Sequence, residues 1–162
     1  MFNVGDKVVY PMHGAGVIEA IEEKEILGAR KKYYVMSMPI GDMKVMIPLD
    51  NIRNVGLRQV IDQEDVQKVL QIFQEDCDKA PSNWNRRYRN NLEKIKSGNI
   101  FKVAEVVRNL MIREKEKGLS TGERKMLENA RQILISELVL AQGVEETEIV
   151  NTLESFFDKH HD

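Results

Sequence analysis

The tetrapeptide Asn54-Val55-Gly56-Leu57 separates two parts of the sequence that have different hydrophobic periods. Before it, apolar residues occur in short β-rich runs broken by glycine and proline, a pattern typical of strands and turns. After about residue 60, apolar residues recur at the three- to four-residue spacing of amphipathic helices. The change of period predicts an α+β protein, with strands in residues 1–56 and helices in residues 57–162.

The first part contains several short β-rich runs with turn residues between them. Lys7–Tyr10 is one run and Pro11 ends it, while residues 31–38 form another that a turn at residues 39–42 follows. Leu27-Gly28-Ala29-Arg30, before the second run, is typical of a hairpin connection. Strands of this length and spacing predict a small antiparallel β-barrel of the SH3-like or Tudor-like kind. Such a barrel offers few places for a buried catalytic cleft, so we expect this part to bind a partner.

The second part is divided by residues that can cap helix starts. The candidate caps are Asp62, Ser82 or Asn83, Asn99 and Ser120. Ser120 also has a glutamate, Glu123, three residues later, which is the pattern of a capping box. A last helix is expected from the apolar residues between positions 149 and 157. This part is therefore predicted to be an all-α helical bundle.

The charge of the chain is unevenly distributed, although 24 basic and 26 acidic residues give a net charge of only −2. Residues 81–125 hold 12 basic against 5 acidic residues, a balance of +7. Residues 126–162 hold 2 against 8, a balance of −6. The basic middle is compatible with a nucleic-acid partner, and the alternative is an ordinary charged helix surface exposed to solvent.

Membrane, secreted and cysteine-based classes are excluded by simple features. No apolar run approaches the ~20 residues of a membrane span. The first six residues lack the basic and apolar regions of a secretory signal. The single cysteine, Cys77, excludes an internal disulfide and a cysteine-rich zinc site. We therefore expect a cytoplasmic protein with no membrane partner.

Motifs for catalysis and for cofactor binding are missing from the sequence. There is no Walker sequence, no Gly-x-Gly-x-x-Gly that opens a helix, and no local Ser/His/Asp motif. His13 follows a predicted strand and precedes Gly14, where a structural or solvent-exposed histidine is the simpler interpretation. We expect no enzyme activity, no cofactor, no metal and no small-molecule substrate.

The segment from Ser82 to Asn91 holds the only tryptophan, Trp84, together with three arginines, four asparagines and a tyrosine. At 100° per residue Trp84 and Tyr88 share the apolar face of a helix, which favours a buried tryptophan with solvated arginines behind it. In the alternative, Trp84 protrudes from the helix start as a wedge or as a stacking platform for a base. Arginine forks beside it would then bind phosphates.

A second basic group straddles the turn at Gly118 and consists of Arg113, Lys115, Lys117, Arg124 and Lys125. One interpretation is a solubilising cluster, since lysine near a helix C-terminus also suits the helix dipole. If the turn lies beside the Trp84 helix, the two groups form one surface that could follow a phosphate backbone. The sequence does not establish that adjacency.

Four segments, in order and at matching spacing, resemble the CarD family of bacterial transcription regulators that bind RNA polymerase. The segments are Phe2-x-Val4-Gly5-Asp6-x-Val8-Val9-Tyr10-Pro11-x-His13-Gly14, Asn83-Trp84-x-Arg86-Arg87-Tyr88, Lys102-Val103-Ala104-Glu105-Val106-Val107-Arg108 and Ala130-Arg131-Gln132-Ile133-Leu134. A domain similar to the first also occurs in transcription-repair coupling factor. The resemblance covers nearly the whole chain.

This resemblance implies that the Tudor-like barrel docks on the β subunit of RNA polymerase by pairing strand edges. The matching docking positions are Lys24, Ile26, Val45 and Met46. The helical part would contact promoter DNA at the upstream edge of the transcription bubble, with Trp84 as the wedge. The flanking contacts would be Arg86, Arg87, Arg89, Arg124 and Lys125. Preference for the melted junction would stabilise the open complex without sequence readout.

The sequence departs from the family at two docking positions, where familiar members carry arginine and this chain carries Lys24 and Met46. Lysine keeps the charge but loses the planar fork, and methionine loses both. Docking would then depend on backbone pairing and on apolar contacts from Ile26 and Val45. Two alternatives remain at this stage: a polymerase adaptor with no direct role at DNA, and an enzyme with an unrecognised site.

Overall fold

A computed structural model of the chain describes residues 2–76 and 83–161. Its first part is a five-stranded antiparallel sheet. The strands are β1 Lys7–Tyr10, β2 Gly14–Ile26, β3 Ala29–Ser37, β4 Lys44–Pro48 and β5 Arg58–Gln59. They pair in the order β4-β3-β2-β1-β5, so β4 and β5 form the two edges of the sheet. The predicted small antiparallel β unit is confirmed in this form.

One face of the sheet covers its own apolar core. Because side chains alternate between faces along a strand, Tyr34 and Met36 of β3 point to the same side. The buried members of this core are Val8, Ile18, Tyr34, Met36, Met38, Ile47 and Leu57. The Tyr34 hydroxyl also accepts a hydrogen bond from the Phe2 amide and donates one to the Phe2 carbonyl, both at 3.0 Å. These bonds tie the first residues to the sheet.

The hairpin of β2 and β3 extends beyond the sheet as a two-stranded ribbon, residues 21–32, whose side chains are all exposed. Leu27 and Gly28 connect the strands with φ angles of +54° and +81°. Positive φ at both central residues is the geometry of a type I′ turn, which matches the twist of paired strands. The sequence predicted this hairpin connection, but not that its Leu27 side chain would be fully exposed.

The boundary tetrapeptide is part of the folded structure. A short helix, α1 Ile52–Val55, ends at Gly56, which has a φ of +71°. Leu57 is buried in the sheet core, and β5 then pairs with β1 through Val8 opposite Gln59. The division at residue 56 stays a prediction, and the strand directly after it belongs to the sheet.

The second part consists of five longer helices: α2 Gln63–Ile72, α3 Trp84–Lys96, α4 Ile100–Glu116, α5 Thr121–Gln142 and α6 Glu146–His161. The predicted cap at Asn83 accepts from the Arg86 amide at 3.2 Å, and Asp62 and Asn99 accept in the same way. The alternative cap, Ser82, and the lone cysteine, Cys77, lie outside the described residues. The predicted helical bundle is confirmed.

Helix α5 is central to the bundle and packs on α4, α6 and strand β2. Its buried residues join one apolar core with those of the neighbouring helices, including Val69, Phe73, Val107, Leu110, Leu134, Leu138, Leu153 and Phe157. Among the described residues, no helix is both long and apolar enough to cross a membrane.

Candidate functional site

Trp84 is the first residue of α3, and 41% of its surface is exposed. Its indole ring stacks on Tyr88, with 5.0 Å between ring centroids and 20° between planes. The indole Nε1 donates a hydrogen bond to Ser120 Oγ at 3.0 Å. The interpretation of Trp84 as a buried core residue is therefore wrong, whereas its role as a wedge stays a prediction.

Ser120 links Trp84 to a buried carboxylate. Its Oγ accepts from the Glu123 amide at 3.2 Å, which confirms the predicted cap of α5. The same hydroxyl lies 3.2 Å from Glu123 Oε1, to which it donates. The Glu123 side chain is almost fully buried, and this hydrogen bond connects it through one hydroxyl to the indole. The start of α3 and the start of α5 are thereby joined.

Arg87 completes this arrangement from below the surface, since only 6% of it is exposed. Its Nε donates to Glu123 Oε2 at 3.0 Å, and its Nη2 donates to Oε1 at 3.3 Å. The prediction that Arg87 contacts phosphate is wrong for this structure, because its guanidinium is buried against a carboxylate. At 100° per residue Arg87 lies about 60° around the helix from Trp84, on the side that α5 covers.

Glu123 is surrounded by positive charge. Burial opposes ionisation of its carboxyl group, but hydrogen bonds from Arg87 and Ser120 and the charges of Arg87 and Arg113 hold its pKa below the ordinary value. Arg113, which the sequence placed in the second basic group, lies with Nε 3.9 Å from Glu123 Oε2. Glu123 is therefore a charged acceptor at neutral pH, and the guanidinium groups of Arg87 and Arg113 lie beside it.

Four cations near the joined helix starts remain exposed: Arg86, Arg89, Arg124 and Lys125. Arg124 makes only a loose ion pair, 3.8 Å from Glu114, and 66% of its side chain is exposed. The adjacency that the sequence left open is thus present for the α5 part of the second basic group. Lys115 is different, because it lies 3.8 Å from Asp158 and over the Phe157 ring of α6. We call Trp84, Tyr88 and the four exposed cations the tryptophan site.

The predicted docking residues of the sheet divide between its two faces. Directly paired residues of antiparallel strands share a face, and Met46 pairs with Val35, which pairs with Ala20. Lys24 and Ile26 follow Ala20 at even spacing, so they lie with Met46 on the face opposite the sheet core. Val45 pairs with Met36 on the core face and is half-buried.

The docking face carries both apolar and charged side chains and includes an edge strand of the sheet. Ile26 is 52% exposed and Met46 is 37% exposed, and Leu27 stands at the tip of the ribbon between β2 and β3. Strand β4 forms one edge of the sheet, and an edge strand presents backbone groups that another strand can pair with. The structure places Lys24, Ile26 and Met46 on one face, with Met46 on this edge strand and Lys24 and Ile26 farther along, in the ribbon. Sequence reasoning missed Leu27, although an apolar residue before a glycine in a hairpin was visible.

No group of three or more His, Cys, Asp or Glu residues that could hold a metal ion occurs within residues 2–76 and 83–161.

Two family models match the chain. Residues 2–61 match the CarD-like/TRCF RID domain, a family of RNA-polymerase-interacting domains, and residues 68–154 match the CarD C-terminal domain. The first match contains the sheet with its ribbon and edge strand. The second contains the tryptophan site.

The chain is also similar to individual proteins. The chain is 48% identical over 149 residues to a Bacillus subtilis (strain 168) protein named "Putative transcription factor YdeB". The matched region covers 92% of this chain and 97% of the relative. The solved N-terminal domain of Myxococcus xanthus CarD is 32% identical over 36% of this chain and 79% of its own, with a TM-score of 0.32. The domain CdnLNt from the same organism is 42% identical to this chain. The match covers 40% of this chain and 92% of that domain, with a TM-score of 0.35.

Proposed function

We propose that this chain, which belongs to the CarD family of transcription factors, stabilises the promoter open complex of bacterial RNA polymerase. The sheet binds the polymerase β subunit, and the helical part contacts DNA at the upstream edge of the transcription bubble. The observation that carries the proposal is Trp84, which is exposed at a helix start, held in a fixed orientation, and accompanied by exposed arginine and lysine side chains. A basic surface with an accessible aromatic ring suits DNA better than it suits a buried protein contact.

Docking on the polymerase uses the edge strand β4 and the ribbon. A strand of the β subunit extends the sheet beyond β4, and main-chain hydrogen bonds supply much of the affinity. Apolar contacts from Met46 on that edge and from Ile26 in the ribbon, together with the charge of Lys24, add to the pairing, since all three lie on one face. The matching of residues 2–61 to a polymerase-interacting family supports this assignment.

Contact with DNA uses the tryptophan site. The exposed part of the Trp84 indole stacks on a base or wedges into a base step at the junction, an interaction of roughly 1–3 kcal/mol per base. Arg86, Arg89, Arg124 and Lys125 bind phosphates on either side without reading sequence. Arg87 contributes indirectly, because it fixes Glu123 and through it the Ser120 hydroxyl that holds the indole.

The mechanism is a shift in the equilibrium between closed and open promoter complexes. A protein that binds the melted junction tenfold better than the closed duplex stabilises the open complex by about 1.4 kcal/mol. Docking on the polymerase keeps the tryptophan site close to the DNA, so a weak contact is sufficient. The proposal contains no chemical step, no cofactor and no small-molecule substrate.

Site-specific photo-crosslinking in polymerase–promoter complexes tests both contacts. A photoreactive amino acid in place of Arg86 should crosslink to DNA at the upstream bubble edge, and one in place of Met46 should crosslink to the β subunit. The same amino acid in place of Asn129, an exposed residue of α5, serves as the control. Crosslinks from position 86 to polymerase alone would contradict the proposal and favour an adaptor with no direct role at DNA.

A further inference from the structure

A charged fork joins the sheet to the helical bundle. Arg58 of β5 donates from Nη1 and Nη2 to the two carboxylate oxygens of Glu137 on α5, each at 2.7 Å. The Glu137 side chain is fully buried, whereas 30% of the Arg58 side chain is exposed. Glu137 Oε2 also accepts from the Ile61 amide at 3.0 Å, and Arg58 Nε donates to the Gly98 carbonyl at 2.8 Å. One arginine thus fixes β5 to a side chain of α5 and to the backbone of the turn between α3 and α4.

The turn between β1 and β2 makes a second contact across the same boundary. Met12 adopts a φ of +75°, a conformation that residues other than glycine rarely adopt. Its side chain packs against the helical core rather than the sheet core. Pro11, the residue before it, lies so close to Gly98 that a Cβ there would be 3.1 Å from Pro11 Cγ. The backbone strain of about 1–3 kcal/mol at such a residue persists only where surrounding contacts hold it.

A third contact lies at the start of β2. The Ala15 amide donates to Ser136 Oγ on α5 at 2.8 Å, and both groups are buried. Gly14 allows this approach, because a Cβ at its position would be 2.9 Å from Ser136 Oγ. Three separate contacts therefore determine how the helical bundle lies on the sheet. None of the residues in them belongs to the tryptophan site or to the docking face.

The two hydrogen-bonded contacts, Arg58–Glu137 and Ala15–Ser136, are specific in direction, which distinguishes them from ordinary apolar packing. Burial of an ion pair is seldom the most stabilising solution, because removing two charges from water largely offsets their attraction. A bidentate fork with two further hydrogen bonds does, however, restrict orientation far more than contact between aliphatic side chains does. A strained turn and a glycine-dependent approach at the same boundary impose the same kind of restriction.

We propose that Arg58 and Glu137 are positioning residues that hold the sheet and the bundle as one rigid arm. A chain docked on polymerase through β4 and the ribbon then presents Trp84 at one place, instead of over the volume that a hinge at residues 60–61 would permit. Fixed presentation raises the effective concentration of the tryptophan site at the bubble edge. This inference rests on the proposed function for its consequence, but the rigidity itself can be measured on the isolated protein.

Rigidity is tested by the distance distribution between two spin labels in the full chain. The labels are attached through Lys44→Cys on β4 and Asn129→Cys on α5, both exposed, with Cys77→Ser to remove the native thiol. We expect a narrow distribution for this background and a distinctly broader one after Arg58→Lys, which keeps the charge and loses the fork. Ser136→Ala, which removes a neutral contact of the same boundary, should also broaden it.

The matched control is Arg131→Lys, because Arg131 pairs with Glu154 within the bundle at 3.2 Å. It should leave the distribution unchanged. A broad distribution in the background protein would overturn the inference, and so would a distribution that stays narrow in both the Arg58→Lys and the Ser136→Ala variants.

The consequence is tested by comparing two affinities of the Arg58→Lys variant. Its binding to polymerase alone should stay within about twofold of the unmodified chain, while the concentration needed to lengthen open-complex lifetime should rise at least about fivefold. The positioning role would be refuted if Arg58→Lys broadens the distance distribution but lengthens open-complex lifetime at the same concentration as the unmodified chain. If the unmodified chain has no effect on lifetime, the proposed function fails, and the spin-label result still decides the question of rigidity.

Discussion

Two arginine–glutamate pairs with buried carboxylates attach helix α5 to the rest of the molecule, and they differ in what they join. Arg58–Glu137 joins α5 to the sheet, whereas Arg87–Glu123 joins it to the start of α3 and to Trp84. The two glutamates are 14 residues apart on one helix, a separation of about 21 Å along its axis. Helix α5 therefore begins at the candidate DNA contact and reaches the boundary with the sheet near its other end.

The two pairs also differ in geometry. Arg58 binds its partner through two bonds of 2.7 Å, while the Arg87 bonds measure 3.0 and 3.3 Å. The Glu137 carboxylate accepts hydrogen bonds from Arg58 and from one backbone amide. The Glu123 carboxylate accepts hydrogen bonds from Arg87 and Ser120 and also lies near the Arg113 guanidinium. The first pair restricts the orientation of a whole domain. The second orders a single exposed ring, so its loss should affect function more than stability.

Removal of Glu137 should have the largest effect on stability. Glu137→Ala leaves the Ile61 amide without its acceptor and the partly exposed Arg58 guanidinium without its carboxylate, and we expect a loss of about 3 kcal/mol in the free energy of unfolding. Chemical denaturation measures this loss. The double variant Arg58→Met with Glu137→Leu should recover most of it, because apolar side chains can replace a buried ion pair. A loss below about 1 kcal/mol for Glu137→Ala would contradict a structural role for the fork.

Removal of Arg87 should have an intermediate effect on stability. In the Arg87→Ala variant, Glu123 retains Ser120 and Arg113, so we expect a loss of about 2–3 kcal/mol. Trp84 fluorescence should shift to longer wavelength and become easier to quench with acrylamide, because the indole loses its ordered partner. Arg86→Ala changes the charge equally on an exposed residue and should leave both properties unchanged. An unaltered spectrum for Arg87→Ala would refute the link from Arg87 to the indole.

Acidification below about pH 4.5 should weaken the second pair. Because the folded-state pKa of Glu123 lies below its ordinary value, the carboxylate contributes stability above the unfolded pKa of about 4.5. That contribution is lost as the pH falls through the folded pKa. Unfolding free energies measured from pH 3 to pH 7 should fall less steeply on the acid side in Glu123→Gln than in the unmodified chain. Equal slopes would show that Glu123 titrates normally.

Changes to the exposed cations should have the smallest effect on stability and a clear effect on DNA binding. Arg86→Ala with Arg89→Ala should leave the melting temperature nearly unchanged, since both side chains are exposed. The slope of log K against log salt for binding a forked DNA duplex should decrease by up to about 2, because each phosphate contact contributes about 0.9. Arg131→Ala with Lys159→Ala removes the same charge elsewhere and should leave the slope unchanged. An unaltered slope in the first double variant would exclude phosphate contacts at these residues.

Local features of the fold were predictable from the sequence because they depend on neighbouring residues. Ser120 caps α5, Asn83 caps α3, and the turn at Leu27-Gly28 connects a hairpin, as expected. Each follows from the hydrogen-bonding capacity or backbone preference of residues within four positions of one another. The exposure of Trp84 was left between two alternatives, since a helical wheel shows the apolar face but not whether a neighbouring helix covers the first turn.

Contacts between distant residues were not predictable in the same way. Arg87 and Glu123 are 36 residues apart, and Arg58 and Glu137 are 79 apart. Helical spacing sets Arg87 apart from Arg86 and Arg89, because Arg87 lies about 60° from Trp84, but the spacing does not show that an acid 36 residues later faces it. The strained Met12 is another example, since its conformation is held by helices that come much later in the chain. The candidate site could thus be located from the sequence, but the division between its binding and positioning residues could not.

The lifetime of promoter open complexes after a competitor challenge tests the central claim most directly. The unmodified chain should lengthen this lifetime. Trp84→Ala should lose most of the effect while changing the melting temperature little, and Trp84→Phe should keep part of it because a ring can still stack. No lengthening on several promoters at saturating protein, or full activity of Trp84→Ala, would contradict the account.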